Sequence, residues 1–372
     1  MLSDIIQIRH ELHSHPSLSG AESYAHDVVV SFLEKLHPTH LFRHVGGYGV
    51  VALFGHAEEG CIALRADMDA LPIQEDLPIA YASCQAGVSH KCGHDGHTAV
   101  LLAVAERIAH QPLPHAVMLL FQPSEETGEG STRLLASEPF LRFQPEAVFG
   151  LHNIPGYPCG QLLFKKGTFA AASVGWVLRL KGRQTHAAFP EKGINPGAAV
   201  AEIIQKMAAG NQSPEEEARF HQATLIYARI GEVAFGTSAG DAEVMFTLRA
   251  FTNVEMEAWK AYAVDLAEQV ALRYGLSLSM EWKEPFRATE NHADAVDRLI
   301  QVAERYEMEY AMLPHPFRWS EDFSEYLLRY PGAFFGIGSG ESTPELHHPA
   351  FDFPDAVIAP AAAFFERLVK SY

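Results

Sequence analysis

Apolar positions recur at helical spacing twice near the start of the chain. Ile5, Ile8 and Leu12 fall on one stripe of 4–12, and Ala25, Val28, Val29, Phe32 and Leu36 on one stripe of 22–36. Both segments are expected to be helices with one buried face. The pattern then shortens to continuous apolar runs at 49–54, 61–65, 116–121 and 147–151, rich in small and branched residues. Runs of this kind suit strands buried on both faces. A helix is expected over 98–109, between two of them. Strands alternating with helices predict an α/β fold around a mostly parallel sheet.

After Gly167 the texture changes. Residues 174–180 alternate like a strand with one wet face, a helix is expected over 195–208, and strands follow at 223–230 and 242–251. A helix over 254–274 and a strand at 276–282 complete a self-contained α+β pattern of domain size. The first texture then returns, with a helix at 293–306, a strand at 333–337 and a helix at 354–369. The expected organisation is a main domain, 1–172 and 284–372, into which a smaller domain, 173–283, is inserted.

The 372 residues suit two cores rather than one. Lys and Arg number 28 against 46 Asp and Glu, a formal net charge of −18, which argues against nucleic acid or an anionic membrane surface as partner. No apolar run approaches membrane-spanning length and the N-terminus lacks a signal-peptide pattern. The four cysteines are too few and scattered for a disulfide scaffold, so a reducing cytoplasm is the expected compartment.

The chemistry concentrates where strands are expected to end. Asp67 and Asp69 follow one run, Glu125 and Glu126 another, and His152 a third. In open α/β sheets the binding crevice lies at the carboxyl ends of the strands. The stretch "SHKCGHDGHTAVLL", 89–102, adds Cys92 and His94, two apart and so able to share a cation from a loop. Taken singly, a histidine here is better read as part of a solvated turn, and the cysteine as a lone buried thiol. Cys92, His94, Glu126 and His152, together with His347 in "ELHHP", point instead to a metal site. Adjacent glutamates permit a division of labour, one ligating and its neighbour taking a proton from an attacking water. An acidic pair opening a helix is the plainer alternative.

Eight ordered stretches, "RHELHSHP", "LRADMDALPI", "HKCGHDGHTAVLL", "FQPSEETGEG", "GLHNIP", "THAAFP", "WSEDFSEYL" and "LHHPAFDF", resemble the motifs of M20-type metallopeptidases. The resemblance is greatest to the aminoacylase-like amidohydrolase branch, which includes hippurate, N-acetyl-amino-acid and auxin-conjugate hydrolases. It covers nearly the whole chain. It implies a catalytic α/β domain interrupted by a lid domain that also forms a homodimer. It implies two divalent ions, zinc or manganese, held by Cys92, His94, Glu126, His152 and His347, with Cys92 bridging. Glu125 matches the base. His186 matches a lid histidine that enters the partner's site and polarises the scissile carbonyl. His347 fits the Leu-His-x-Pro pattern better than His348, and Asp67 and Asp69 are expected to support the ligands.

One stretch departs from the resemblance. The lid turn usually carries Asn-x-Ile-Pro before a strand ending in Arg, and in relatives it helps hold the substrate's free carboxylate. This chain has "AFGTSAGDAEVMFTLRAF" there: Arg249 is present, the Asn and Ile-Pro are not. Arg249 is a candidate anion binder or simply a strand-end arginine. The expected activity is hydrolysis of a small N-acyl amino acid or related amide. A dipeptidase or carboxypeptidase in the same metal frame is the nearest alternative, and a catalytically silent metal-binding regulator the alternative from another class.

Overall fold

A computed structural model of the chain describes residues 2–56, 60–212 and 220–372. The chain divides into two compact units, one of Met1–Phe169, Thr289–Pro314 and Glu321–Tyr372, the other of Ala170–Ala288 and His315–Ser320. The expected boundaries at 172/173 and 283/284 shift by a few residues. Segment 315–320, expected in the main domain, belongs to the second unit. Its tie is backbone: the N–H of Ala171 donates to the carbonyls of Phe317 and Trp319, both at 3.0 Å.

The first unit is built on an eight-stranded sheet. From edge to edge it runs His40–Val45, Gly49–Phe54, Ala116–Gln122, Cys61–Asp67, Ala147–Pro155, Gly332–Gly340, Leu162–Phe164 and Tyr310–Met312. Its middle, from Ala116–Gln122 to Gly332–Gly340, is parallel. Antiparallel neighbours occur nearer the edges. The continuous apolar runs are the fully buried strands, as expected for a sheet covered on both faces. The edge strand His40–Val45 and the three-residue strands 162–164 and 310–312 carry too little apolar pattern to be read from sequence.

The helix expected to open at Thr98 begins instead at His94 and runs to Ile108. Gly93 caps this helix and Gly96 lies in its first turn, and each has a packing reason. Gly93 takes a left-handed φ of 100°, and a Cβ there would lie 2.4 Å from Asn153 Oδ1. A Cβ on Gly96 would strike the Phe353 ring at 2.3 Å. The helix is buried almost throughout, with Val100, Leu101, Leu102, Val104 and Ile108 in the core beside Phe364 and Phe365. Each such side chain contributes about 1.5–3 kcal/mol relative to exposure. The last helix also starts later than expected, at Ile358, after a 3-10 turn over Asp355–Val357. No helix among the described residues is long and apolar enough to cross a membrane.

The second unit carries an antiparallel four-stranded sheet, ordered His221–Ile230, Asp241–Ala250, Ala172–Lys181 and Ser277–Phe286. In Asp241–Ala250 every second residue is buried, the signature of one wet face. Helices Gly197–Ala209 and Asn253–Arg273 share its core with Trp176, Leu178, Val244 and Phe246. Thr252 and Glu255 form a capping box at the start of the longer helix.

Candidate metal centre

The parallel strands deliver their polar residues to one end of the first unit. Asp67 ends strand Cys61–Asp67, Glu125 and Glu126 follow Ala116–Gln122, and His152 lies near the end of Ala147–Pro155. Cys92 precedes the helix that opens with His94, and His347 follows strand Gly332–Gly340. These residues meet. Cys92, His94 and His152 form one group of donor atoms, all within 4.8 Å of one another, and Cys92, Glu126 and His347 form a second. The two groups share the Cys92 thiol.

Individual separations suit a cation between the donors. Cys92 Sγ lies 3.4 Å from His152 Nε2, and Glu126 Oε1 lies 3.9 Å from both His94 Nε2 and His347 Nε2. Donors on one tetrahedral zinc lie roughly 3.3–3.8 Å apart, given zinc–nitrogen and zinc–sulfur bonds of about 2.0–2.3 Å. His94 Nε2 and Glu126 Oε1 are buried with no hydrogen-bond partner among the described residues. Buried polar atoms are rarely left so.

The imidazoles are aimed by their other nitrogens. His94 Nδ1–H donates to the Asp69 carbonyl at 2.9 Å, and His152 Nδ1–H to the Asn153 carbonyl at 2.8 Å. Each Nε2 lone pair therefore faces the cluster, the arrangement expected of metal-binding histidines. Asp69 Oδ2 accepts the backbone N–H of Glu126 at 3.0 Å and the Ser19 hydroxyl at 2.7 Å. Asp67 accepts from His97 Nδ1–H at 2.6 Å, while His97 Nε2 lies 2.7 Å from Asn153 Oδ1.

Electrostatics point the same way. Burial pushes the Cys92 thiol up to about 12 and Glu126 up to about 8. Burial, then the neighbouring Glu321 and Glu126 carboxylates, raise Glu125 well above the usual range. A cluster that would otherwise take up protons is one that positive charge stabilises.

Glu125 is buried and held from two sides. Its Oε1 accepts the backbone N–H of Asp322 at 3.3 Å. The preceding Ser124 has a left-handed φ of 57°, a conformation that costs a non-glycine residue free energy, and Glu22 Oε1 holds its N–H at 2.9 Å. Beneath Glu125, the Arg65 guanidinium donates to Asp67 at 2.6 Å, Glu321 at 2.9 Å and Asp322 at 2.8 Å.

The profile of peptidase family M20/M25/M40 matches residues 63–371. The chain belongs to this family. As an M20-family member it is a metal-binding hydrolase of amide bonds. It is 31% identical over 376 residues to an N-acetylcysteine deacetylase of Bacillus subtilis, covering 98% of this chain and 95% of that one. It is 29% identical over 373 residues to the hippurate hydrolase of Campylobacter jejuni, covering 98% and 96%. A solved structure of a Bacillus subtilis dinuclear metal binding peptidase of the M20 family superposes with a TM-score of 0.86 at 28% identity, covering 100% of this chain and 98% of that one.

Two sequence candidates of this M20 chain lie in the second unit. His186 is exposed on the short strand Thr185–His186, which pairs with Thr237–Ser238, and its Nδ1 accepts the Ala188 N–H at 3.0 Å. Arg249 is half-buried and donates to the Arg318 carbonyl at 2.9 Å and the Ser320 hydroxyl at 3.1 Å. Sequence reasoning did not single out His97, Arg65, Glu22, Glu321 or Asp322. All but Glu22 lie in the quoted motifs, and their burial as polar residues is what marks them.

Proposed function

We propose that this chain hydrolyses the amide bond of a small N-acyl compound, an N-acyl amino acid or a close relative, to a carboxylic acid and an amine. The two donor groups sharing Cys92 beside the buried Glu125 are the observation that carries this reading. Two divalent ions, zinc or manganese, would be held by Cys92, His94 and His152 on one side and by Cys92, Glu126 and His347 on the other. Such ions supply Lewis acidity, polarising the carbonyl and making water more acidic. A soft thiolate with imidazoles suits zinc, and manganese tolerates the mixture.

The residues divide the remaining work. Glu125 takes a proton from the attacking water as the carbon–oxygen bond forms, then delivers it to the nitrogen as the carbon–nitrogen bond breaks. The Asp322 N–H, on a segment that Arg65 anchors through the Asp322 carboxylate, keeps that carboxylate in place. His186 is assigned to the carbonyl oxygen of a substrate in the partner's site. A homodimer is part of this reading. Strand His221–Ile230 is a sheet edge with Leu225, Ile226, Tyr227 and Ile230 exposed, and an uncovered apolar edge suits a second copy.

Arg249 is assigned to a substrate anion. It is a half-buried guanidinium that donates to one carbonyl and one hydroxyl, and no carboxylate among the described residues pairs with it. The turn between Gly231 and Gly240 presents fully exposed Val233 and Phe235 in place of polar carboxylate contacts. A lost hydrogen bond to a charged group is worth about 1.5–3 kcal/mol, so plain N-acyl amino acids should react about tenfold to a hundredfold less well than with that contact.

The test is a panel of N-acetyl amino acids, hippurate, their carboxamides and dipeptides, assayed with added zinc or manganese. Amide cleavage that Glu125→Gln abolishes is the expected result. A preference for dipeptides would move the assignment to a dipeptidase, and no turnover of any amide would leave a silent homologue.

A further inference from the structure

His347 is the donor least secured by its own backbone. It lies outside regular structure, at a left-handed φ of 66°, with its side chain half-exposed. Something else must hold it. Its backbone N–H donates to the Lys91 carbonyl at 2.7 Å. The Lys91 ammonium, fully buried, reaches over and donates to the Phe351 carbonyl at 2.8 Å while pairing with Glu75. One lysine thus grips the His347 loop at both ends.

A second buried cation grips it further along. Arg9 donates to Asp352 at 2.8 Å and pairs with Asp355 at 2.7 Å. The same guanidinium meets Asp95 at 3.2 Å, and His13 bridges Asp95 at 2.8 Å to Glu75 at 2.9 Å. Asp95 adjoins His94, and Lys91 adjoins Cys92. The network therefore ties the segment carrying Cys92 and His94 to the loop carrying His347. Buried ion pairs seldom beat apolar packing for stability, and their best-attested use is to fix a geometry. None of these charged groups is needed for the chemistry assigned above.

We propose that Lys91 and Arg9 are positioning residues that set the His347 side of the metal pair, so that the Cys92–Glu126–His347 group depends on them more than the Cys92–His94–His152 group, whose imidazoles are aimed by the Asp69 and Asn153 carbonyls. This rests on the reading that both groups hold cations. Partners of this outer kind typically change metal affinity by about tenfold to a hundredfold.

The test compares the full-length protein with Lys91→Met and Asp352→Asn. Each is loaded with cobalt and titrated with a chelator. Metal per chain is counted by elemental analysis, the Cys92 thiolate is followed by its cobalt charge-transfer absorption, and folding by circular dichroism. Wild type should hold two ions. Each variant should release one ion at about tenfold or more lower chelator and keep the other with its thiolate absorption. Loss of both ions together, or retention of both at wild-type affinity, overturns the proposal. Should Lys91→Met fail to fold, Asp352→Asn, nearly isosteric and only partly buried, decides alone. A wild type with fewer than two ions would defeat the underlying site assignment, a result distinct from failure of the clamp.

Discussion

The Cys92 cluster and the Gly231–Gly240 turn carry different halves of the proposed function and are built in opposite ways. Around Cys92 most of the polar side chains are buried and anchored by a second residue: His94 by Asp69, His152 by Asn153, Glu126 by Asp69 and Ser124 by Glu22. In the turn, Val233 and Phe235 stand fully exposed, and the short pairing of Thr237 with His186 anchors one end. A buried polar site tolerates little change, because each group removed leaves a partner unsatisfied. An exposed turn can exchange Asn and Pro for other residues at little cost to folding. Chemistry kept intact beside altered recognition is the expected outcome of that difference.

Breaking the cluster at its base should matter most. Glu125→Gln should cut turnover on the order of a hundredfold or more while metal content stays at the wild-type level. Glu126→Gln should instead weaken metal binding. A swapped pair of phenotypes would exchange the roles given to the two glutamates.

Stripping the metal should come next. Ions present at about a hundredfold over their dissociation constant stabilise the fold by about 2.7 kcal/mol. Chelation should therefore lower the thermal midpoint as well as the rate. An unchanged midpoint would show that the cluster is already content without cations.

A third effect comes from pH. Burial alone would lower the His13 imidazole, but its bonds to Asp95 and Glu75 raise it to about 9. A folded value above the ordinary 6.5 means stability fully present below about pH 6.5 and lost as pH rises through about 9. The loss should be on the order of 1–3 kcal/mol, read by denaturant unfolding across that window. Asp95→Asn should flatten the slope, and an equally steep slope in that variant would assign the titration elsewhere.

The smallest effect on folding is expected in the turn. Phe235→Ser should change stability by no more than about 0.5 kcal/mol and leave metal content alone, yet alter the ranking of substrates. If it destabilised the protein strongly, the contrast between the two regions would not hold.

The same contrast governs what could be read in the sequence. Asp67, Glu125 and His152 were legible because continuous apolar runs mark buried strands, and strand ends mark the crevice. The inserted α+β unit was legible from its change of periodicity. The start of the helix at His94 was not, since glycine suggests a loop and the ring of Phe353 that explains Gly96 lies far along the chain. Arg65 was missed for the same reason: Glu321 and Asp322 are more than 250 residues away in sequence. Segment 315–320 has no periodicity to show which unit it joins.

Two cations sharing Cys92 are the centre of the proposed function. The most direct measurement counts metal per chain and amide-hydrolysis rate together along one chelator titration of protein purified without chelators. Two ions per chain are expected at the start, with activity falling as they leave and restored when zinc or manganese is returned. Full activity in a metal-free protein would contradict the proposed function.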